Sequence, residues 1–467
     1  MPSDRPGTSD RPLRVAIVGS GPAGFYTADH LLRRDVPVRI DVFERLPAPF
    51  GLVRYGVAPD HPKIKNVGRV YEKIASRPEF RFYGNVQFGK HVTVEDLCRH
   101  YHQICFATGA ESDRRLGVPG EELTRSHTAT EFVAWYNGHL DYRERQFDLS
   151  VERVAVIGVG NVAVDVCRIL CRTVDRLART DIADYALDAL GSSRVQEVTM
   201  IGRRGPAQAA FTNPELRELG ELTAADVIVR PEDLELDPFT RAELESDPDR
   251  DTLKKLEILA ELAARRPAGR ARRLALRFCL SPAELIGNEA GEVTSLRLVR
   301  TRLEPGPGDR LRAVATAEIE ELEADMVFRS VGYRGVALAG VPFHEEWGVV
   351  PNRRGRVLTG ANGAPVRGLY VSGWIKRGPS GVIGSNRPDA EESVLAMLED
   401  LERGSVLQPA EPSCEAADRF VRARQTAAIS FEVWLRLDAL ELARGEAFGR
   451  ARVKFTAVDE MLAALER

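Results

Sequence analysis

Two segments of this 467-residue chain repeat one order of features: a short apolar run, a glycine-rich turn and a helical pattern. The first segment covers residues 14–34 and the second covers residues 153–172. Each apolar run is rich in β-branched residues, which is typical of a strand buried within a parallel sheet. A strand, a turn and a helix in this order form a βα unit, so we expect two nucleotide-binding units.

Further strand candidates lie between and after these units. They cover residues 39–44, 103–107, 197–201, 325–330 and 368–372. Strands that alternate with helices favour layers of helices packed on parallel sheets. The sequence therefore predicts an α/β protein with two Rossmann-like dinucleotide-binding domains.

The first turn has the spacing Gly19-x-Gly21-x-x-Gly24. Glycines at this spacing let the backbone turn tightly and approach a pyrophosphate, which the N-terminus of the next helix binds. Glu44 ends the following strand, where a carboxylate can accept hydrogen bonds from an adenosine ribose. The alternative is a tight turn without a ligand, but the strand, the helix and the acid together favour a dinucleotide site.

The second turn reads G-x-G-x-x-A from Gly158, with Asn161 inside it. The next strand candidate leads into Arg203 and Arg204. Guanidinium groups near an adenosine ribose pair well with the oxygens of a 2′-phosphate, so these arginines indicate NADP rather than NAD. The alternative is an ordinary solvated pair of arginines.

Charge and apolar patterning argue against two classes of protein. The chain carries 65 Lys and Arg against 69 Asp and Glu, a formal net charge of −4, which gives no support for nucleic-acid binding. No apolar run approaches the roughly 18 residues of a membrane-spanning helix. Residues 1–12 are polar and proline-rich and lack an apolar signal-peptide core, so we interpret them as a flexible N-terminal tail on a cytoplasmic protein.

The six cysteines form no redox or metal-binding motif. No pair has C-x-x-C spacing, and no spacing matches a zinc or iron–sulfur site. We therefore expect small buried side chains in a reducing compartment and no bound metal. Two dinucleotides without redox cysteines suggest a flavoprotein reductase, in which a hydride passes from NADPH to a flavin and the protein positions the two rings.

Seven stretches, in order along the chain, resemble the adrenodoxin reductase-like ferredoxin–NADP reductases, including their actinobacterial members. They are VGSGPAGFY, PFGLVRYGVAPDHPKIK, FATGA, GNVAVD, GRRGPAQAAFTNPELREL, RSVGYRG and GWIKRGPSGVIGSN. The resemblance covers nearly the whole chain. It implies an enzyme that passes a hydride from NADPH to FAD and then single electrons to a ferredoxin-type iron–sulfur protein.

The resemblance also implies roles for individual residues. Together with Gly19 and Gly21 of the first turn, the residues lining FAD would be Gly24, Glu44, Leu52, Val86, Trp374, Gly381, Val382 and Ile383. The residues contacting NADP would be Val159, Gly160, Asn161, Val162, Arg203, Arg204 and Glu215, and Gly381 would also lie near the nicotinamide.

The fold implied by the resemblance is an NADP-binding domain inserted into a discontinuous FAD-binding domain. The predicted boundaries are 13–113 and 325–467 for the FAD domain and 114–324 for the NADP domain, with residues 1–12 as the tail. The resemblance also favours a monomer.

His61 and Glu218 are the candidate catalytic residues, because the resemblance brings them together near the nicotinamide and the flavin. A histidine beside a carboxylate is held in one tautomer with a raised pKa, ready to relay a proton. The alternative is a structural pair that orders the loop around His61.

An arginine-rich stretch is a candidate docking surface. It contains Arg265, Arg266, Arg270, Arg272, Arg273 and Arg277. Ferredoxins are usually acidic, so a basic patch could steer their docking. The alternative is a solvated face without a partner.

Three other functions stay open on the sequence alone. One is an NADPH diaphorase that reduces quinones or other diffusible acceptors. Another is a reductase subunit similar to the small subunit of glutamate synthase, although that family carries N-terminal cysteine clusters and this chain has no cysteine before Cys98. The third is a non-enzymatic NADP-binding sensor.

Overall fold

The computed structural model describes residues 5–306 and 311–466. Within these ranges the strands are β1 Leu13–Val18, β2 Val38–Phe43, β3 Phe80–Tyr83, β4 Gln103–Phe106, β5 Ser112–Asp113, β6 Ser126–Thr128, β7 Arg153–Ile157, β8 Glu197–Ile201, β9 Ala225–Val229, β10 Arg272–Arg277, β11 Leu280–Gly287, β12 Val293–Pro305, β13 Leu311–Glu323, β14 Met326–Arg329, β15 Tyr333–Arg334, β16 Asn352–Arg353, β17 Arg356–Leu358 and β18 Pro365–Val371. The α-helices in the same ranges are α1 Pro22–Leu32, α2 Leu52–Tyr55, α3 Pro62–Lys65, α4 Gly68–Ala75, α5 Val94–His100, α6 Ala129–Tyr136, α7 Asn161–Cys171, α8 Val174–Leu177, α9 Asp184–Gly191, α10 Asn213–Leu219, α11 Pro238–Ser246, α12 Arg250–Ala263, α13 Trp374–Arg377, α14 Asn386–Glu402, α15 Cys414–Arg424, α16 Phe431–Ala447 and α17 Val458–Leu465.

The first sheet has seven strands in the order β16–β17–β18–β4–β1–β2–β3. Its central strands are parallel: β1 pairs with β2 and β4, β2 with β3, and β4 with β18. Every side chain of β1 is buried, as expected for a strand covered on both faces. Helices α1 and α14 pack against each other beside this sheet.

The second sheet has six strands in the order β6–β14–β7–β8–β10–β9, all of them parallel. Helix α7 follows β7, and its residues from 163 to 171 are buried. An antiparallel sheet of β11, β12 and β13 lies between β10 and β14 in the sequence. The second unit therefore contains a six-stranded parallel sheet and a separate three-stranded antiparallel sheet.

The order of the strands confirms that one unit is inserted into the other. The chain builds β1 to β4 of the first sheet, then the whole second sheet, and returns to the first sheet with β16 to β18. The two crossing segments pair as β5 with β15. Strand β14 belongs to the second sheet. The second segment of the FAD domain was predicted to begin at residue 325, and this boundary is too early by at least the length of β14.

The predicted strands at 39–44, 103–107, 197–201, 325–330 and 368–372 are confirmed as β2, β4, β8, β14 and β18. Residues 1–4 of the predicted tail lie outside the described residues. The described part of this tail begins at residue 5. The side chain of Arg5 donates to the carbonyl oxygen of Leu401 at 2.7 Å, and Pro6 is buried. Across the described ranges, no helix combines the length and the apolar character needed to cross a membrane.

Candidate functional site

The first glycine-rich turn follows β1 and packs closely on its surroundings. Gly19 has a φ of +105°, and a Cβ there would lie 2.5 Å from the carbonyl oxygen of Ala107. A Cβ at Gly24 would lie 2.1 Å from the carbonyl oxygen of Gly19. At Gly21, no described heavy atom lies within 4 Å of such a Cβ. The outer glycines therefore make the tight turn possible, and the central one leaves room for a ligand to approach the backbone.

Helix α1 begins directly after this open glycine. Gly21 is the N-cap, no side chain caps the helix, and Pro22 occupies its first turn. The free N–H groups of the first turn and the positive end of the helix dipole together attract an anion. The segment before Leu52 passes beside the turn, because a Cβ at Gly51 would lie 3.0 Å from the Cα of Gly21. This geometry fits the pyrophosphate of a dinucleotide such as FAD.

The C-terminal part of the first unit packs against the same turn. A Cβ at Gly373, whose φ is +80°, would lie 2.5 Å from the Cβ of Ala23. The N–H of Gly373 donates to Asp389 Oδ2 at 2.6 Å, which ties this segment to α14. Trp374 follows, and its ring centroid lies 5.2 Å from that of Tyr333. Segments distant in sequence thus surround one glycine-rich turn.

The remaining predicted flavin-lining residues form an open stretch of chain. Val382 is 56% exposed, and Ile383 is half-buried, while Gly381 has a φ of +78°. Asn386 donates to the carbonyl oxygen of Ile383 at 3.0 Å. Leu52 is also exposed, at 37%. Apolar side chains left exposed in this way are available to a planar ring, and their contact with FAD stays a prediction.

Glu44 lies beside the first turn. Its Oε2 accepts from Ser20 Oγ at 2.7 Å and from Ser20 N at 3.2 Å, and its Oε1 accepts from the N–H of Leu46 at 3.0 Å. A carboxylate offers about four lone-pair sites, so acceptor capacity remains for a ribose hydroxyl. Val86 donates its N–H to the carbonyl oxygen of Glu44 at 2.8 Å, but its side chain is buried, so only its backbone could contact FAD.

Replacing Glu44 with alanine is expected to weaken FAD binding by about one to two decades. A hydrogen bond to a charged group contributes roughly 1.5–3 kcal/mol, and each 1.4 kcal/mol corresponds to about a factor of ten. Flavin released on gel filtration in dilute buffer measures the effect, with Glu144→Ala as the control because Glu144 is exposed. Full flavin occupancy in the Glu44 variant would leave this residue only a structural role.

The second turn repeats the geometry of the first. Gly158 has a φ of +133°, and a Cβ there would lie 2.1 Å from the carbonyl oxygen of Ser330. At Gly160, the N-cap of α7, no described heavy atom lies within 4 Å of an added Cβ. This turn therefore combines the same close packing with the same open approach to a helix N-terminus.

The neighbours of Gly160 hold the turn in place. The carbonyl oxygen of Val159 accepts from the N–H of Ala210 at 2.8 Å. Asn161 Oδ1 accepts from the N–H of Thr212 at 2.8 Å, so this side chain supports the loop after β8. Val162 is half-buried. Any contact of these residues with NADP would then come chiefly from the backbone.

Arg203 and Arg204 follow β8 and present two unpaired guanidinium groups. Their carbonyl oxygens accept from Thr301 Oγ1 at 2.7 Å and from the N–H of Cys279 at 3.1 Å. Neither side chain has a hydrogen bond or ion pair with another described residue. Partial burial and the nearby charge of Arg203 lower the pKa of Arg204. Two cations held side by side without an anion form a site for a dianionic phosphate.

A fully buried arginine, Arg168 on α7, joins the two units. Its guanidinium contacts the carboxylates of Asp60 (2.9 and 3.0 Å), Asp165 (2.7 Å), Glu215 (3.1 Å) and Glu218 (2.5 Å). Asp60 comes from the first unit and the other three acids from the second. Charge-assisted bonds of this kind are strong in a buried setting, so Arg168 fixes the position of one unit against the other.

His61 belongs to this network. Its Nε2 donates to Glu218 Oε2 at 2.7 Å and lies 3.7 Å from Glu215 Oε2. Burial lowers the pKa of His61, but the hydrogen bond to Glu218 and the nearby acids outweigh this effect, so its pKa is raised. Burial raises the pKa of Asp165 to about 7, although Arg168 opposes the shift. The network therefore holds protons near neutral pH, and the predicted pairing of His61 with Glu218 is present.

Glu215 lies in the same network rather than at a free surface, because it accepts from Arg168. Its carboxylate, that of Glu218 and the ring of His61 place ligand atoms within 4.8 Å of one another. Arg168 donates to both carboxylates, so a cation would have to displace this guanidinium. The absence of a metal stays a prediction.

Sequence reasoning missed Arg168, Asp60 and Asp165. One local signal was available, because Asp165 and Arg168 are three positions apart on the helix that follows the second turn, and such residues share a helix face. Asp60 immediately precedes His61. Nothing local indicated that these segments meet.

The arginine-rich stretch is mostly engaged in the fold. Arg265 donates to Gly220 O, Arg270 to Ala225 O, Arg272 to Val195 O and Arg172 O, Arg273 to Glu197, and Arg277 to Asp233 and Glu320. Arg277 is buried. The other members of the stretch except Arg272 are exposed, and a hydrogen bond leaves the charge of a guanidinium in place. Docking of a ferredoxin through this stretch therefore stays a prediction.

Comparisons with known proteins extend over both units. A family model described as "Pyridine nucleotide-disulphide oxidoreductase" matches residues 13–230. NADPH-ferredoxin reductase FprA of Mycobacterium tuberculosis is 44% identical, over 97% of this chain and 99% of its own length. Mitochondrial NADPH:adrenodoxin oxidoreductase of Salvelinus fontinalis is 41% identical, over 96% of this chain and 90% of its own. The solved structure of Mycobacterium tuberculosis FprA in complex with NADPH matches with a TM-score of 0.91 at 42% identity, covering 98% of this chain and 100% of that one.

Proposed function

This chain belongs to the family of adrenodoxin reductase-like ferredoxin–NADP reductases, and from this premise we propose that it is an FAD-dependent NADPH–ferredoxin oxidoreductase. It catalyses hydride transfer from NADPH to FAD and then single-electron transfer to a ferredoxin-type iron–sulfur protein. Bound FAD supplies the chemistry that converts one two-electron step into two one-electron steps.

One observation carries this proposal. In each parallel sheet, one strand is followed by a glycine-rich turn. The central glycine of the turn, Gly21 or Gly160, faces open space at the N-terminus of a helix. Two such turns accommodate two pyrophosphates. The buried Arg168 network lies between the units that carry them, which supports a fixed arrangement of the two bound ring systems.

The first turn, Glu44 and the segments around Leu52 and Trp374 would hold FAD. The second turn would hold the pyrophosphate of NADPH, with its 2′-phosphate against Arg203 and Arg204. These assignments rest on the open glycines and on the two unpaired guanidiniums. The chain needs no nucleophile for hydride transfer, so its contribution is binding, orientation and exclusion of water.

His61 would hold a proton at Nε2 near the reacting rings, with Glu218 fixing the orientation of the imidazole. Asp165 and Glu215 favour the protonated imidazole, because both acids raise its pKa. A protonated group held in one orientation is suited to proton transfer.

Replacing His61 with glutamine is expected to slow flavin reduction by about tenfold, less than the roughly 10²–10⁴-fold range of general acid–base catalysis. The reason is that hydride transfer itself requires no proton from the protein. Wild-type rates should fall as the pH rises through the raised pKa of His61, and the variant should lose this dependence. Stopped-flow reduction by NADPH between acidic and alkaline pH measures both effects, and an unchanged rate with an unchanged pH profile would contradict the role.

We further propose a cytoplasmic monomer that acts on a ferredoxin or a similar iron–sulfur carrier, with no membrane or nucleic-acid partner. The cysteines support a reducing compartment, because all six are free thiols. The net charge of −4 supports the absence of a nucleic-acid partner. Light scattering of the purified protein tests the monomer.

The decisive experiment starts from the colour of the purified protein. A yellow protein that bleaches anaerobically with NADPH, and then reduces ferredoxin with a higher kcat/KM than quinones, is expected. A colourless protein that binds NADP would instead support the sensor. Faster turnover with quinones than with ferredoxin would support the diaphorase.

A further inference from the structure

The C-terminal segment, residues 414–466, is anchored in the first unit. Trp434 and Phe455 are buried in the hydrophobic core that contains β1 and α1. Glu441 on α16 is fully buried and accepts from Arg54 of α2 at 2.5 Å. A buried ion pair of this kind is costly to break, so the segment is firmly attached to the first unit.

Between α16 and α17 the same segment contacts the second unit. Lys454, only 1% exposed, lies 3.0 Å from Asp181 Oδ2 and donates to the carbonyl oxygen of Asn137 at 2.9 Å. Asn137 ends α6, and Asp181 lies between α8 and α9. The carbonyl oxygen of Ile182 accepts from Arg450. A piece of chain fixed in one unit therefore binds the other.

Asp181 also pairs with a second lysine of the first unit. Lys65 on α3 donates to both carboxylate oxygens of Asp181, at 2.7 and 2.8 Å. Burial raises the pKa of Asp181, but Lys454 and Lys65 outweigh this effect, so its pKa is lowered. One buried carboxylate of the second unit thus compensates two cations that come from separate segments of the first unit.

Lys65 connects this ion pair to the candidate catalytic histidine. Helix α3 begins directly after His61, and the N–H of Lys65 donates to the carbonyl oxygen of His61 at 3.3 Å. The ring of His61 contacts Glu218 of the second unit. A misplacement of about 1 Å can slow an enzymatic reaction roughly 10²-fold. A link one helical turn from His61 is therefore well placed to control the geometry of the reaction.

We propose that Asp181 is a positioning residue for hydride transfer. Through Lys65 and Lys454 it fixes the second unit against the segment that carries His61, and so fixes the nicotinamide against the flavin. The inference rests on the proposed function. It is separate from the role of Arg168, because the carboxylates around that guanidinium are other residues.

Stopped-flow reduction by NADPH and calorimetric titration with NADP⁺ compare the wild-type holoenzyme with Asp181→Asn. The maximal rate of flavin reduction should fall about ten- to hundredfold. The affinity for NADP⁺ should change less than about threefold, because the proposed phosphate contacts all lie in the second unit. The charge-transfer absorbance of the reduced protein with NADP⁺ should weaken in parallel, since it requires contact between the two rings. Flavin content should stay at the wild-type level.

The matched control is Glu460→Gln. Glu460 also belongs to the C-terminal segment and pairs with Arg143 of the second unit, but it is 43% exposed. An exposed ion pair contributes little, so this variant should keep the wild-type rate and absorbance. Lys454→Met serves as a second test variant if Asp181→Asn does not fold, because it keeps the pair of Lys65 with Asp181.

Lys454→Met should slow flavin reduction in the same way, and amide hydrogen exchange across residues 180–184 should be faster than in wild-type holoenzyme without coenzyme. A wild-type rate and wild-type charge-transfer absorbance in this variant would overturn the positioning role and leave the proposed function intact. Weaker NADP⁺ binding with an unchanged maximal rate would also overturn it. Wild-type protein that NADPH does not reduce would overturn the proposed function, and this inference with it.

Discussion

Replacing both Arg203 and Arg204 with alanine should raise the KM for NADPH by about two to four decades and change the KM for NADH little. NADP differs from NAD only in the 2′-phosphate, so discrimination has to occur there. Each charge-assisted contact to that phosphate is worth roughly 1.5–3 kcal/mol, and each 1.4 kcal/mol corresponds to about one decade. The structure strengthens this expectation, because neither guanidinium pairs with another described residue and removing them should leave the fold intact.

The rate at saturating NADPH separates binding from catalysis. A rise in KM with an unchanged kcat is the signature of lost uniform binding, and it is expected because these arginines do not belong to the His61 network. Lysine should restore only part of the affinity, since an ammonium cannot form the paired bonds of a guanidinium. If both coenzymes weakened equally, the arginines would support the fold instead. If neither changed, the 2′-phosphate would be bound elsewhere.

The two glycine-rich turns could be predicted from sequence because their geometry is local. Gly19 must adopt a positive φ, and Gly24 must approach the carbonyl oxygen of Gly19 within a few residues. Such constraints leave a fixed spacing in the sequence. The parallel strands could be predicted for the same reason, since burial on both faces leaves an uninterrupted apolar run.

The return of the chain to the first sheet was misplaced because strand membership is not local. Residues 326–329 are apolar enough for either sheet, and only pairing with β6 and β7 assigns them to the second. Asn161 illustrates the same limit. Its side chain accepts from the N–H of Thr212, fifty-one residues later, which the sequence did not indicate, and its contact with NADP stays a prediction.

Arg168 shows what a single sequence cannot reveal. Its partner Asp60 lies 108 residues away, and Glu218 lies 50 residues away on another helix. A buried arginine is recognisable only when the carboxylates around it are known. The arginine-rich stretch shows the same limit, because a high density of charge in the sequence does not reveal which side chains also bond to backbone carbonyls or carboxylates.

Replacing Arg168 with methionine should lower the free energy of unfolding by about 3–5 kcal/mol, because the substitution leaves buried carboxylates without their cation. Asp60, Asp165 and Glu215 all lie in this buried network. The loss should also loosen the contact between the two units, so flavin reduction by NADPH should slow in the protein that remains folded. Thermal unfolding monitored by flavin fluorescence measures the stability, with Arg33→Met as the control. Arg33 is 58% exposed and pairs with Asp29 one helical turn away, and an exposed pair of this kind contributes below about 0.5 kcal/mol.

The stability deficit of the Arg168→Met variant should depend on pH in a defined direction. Arg168 opposes the raised pKa of Asp165, which is about 7 in the wild-type protein, so this pKa should rise further without the guanidinium. Arg168 also lowers the pKa values of Asp60 and Glu218, and this effect is lost in the variant. A group whose folded-state pKa is raised contributes stability at low pH and loses it as the pH rises through that pKa. The deficit should therefore be smaller near about pH 5, where Asp165 binds a proton, and should grow as the pH passes 7. A variant as stable as Arg33→Met at every pH would show that water, rather than Arg168, compensates the four acids, and the network would then not hold the two units together.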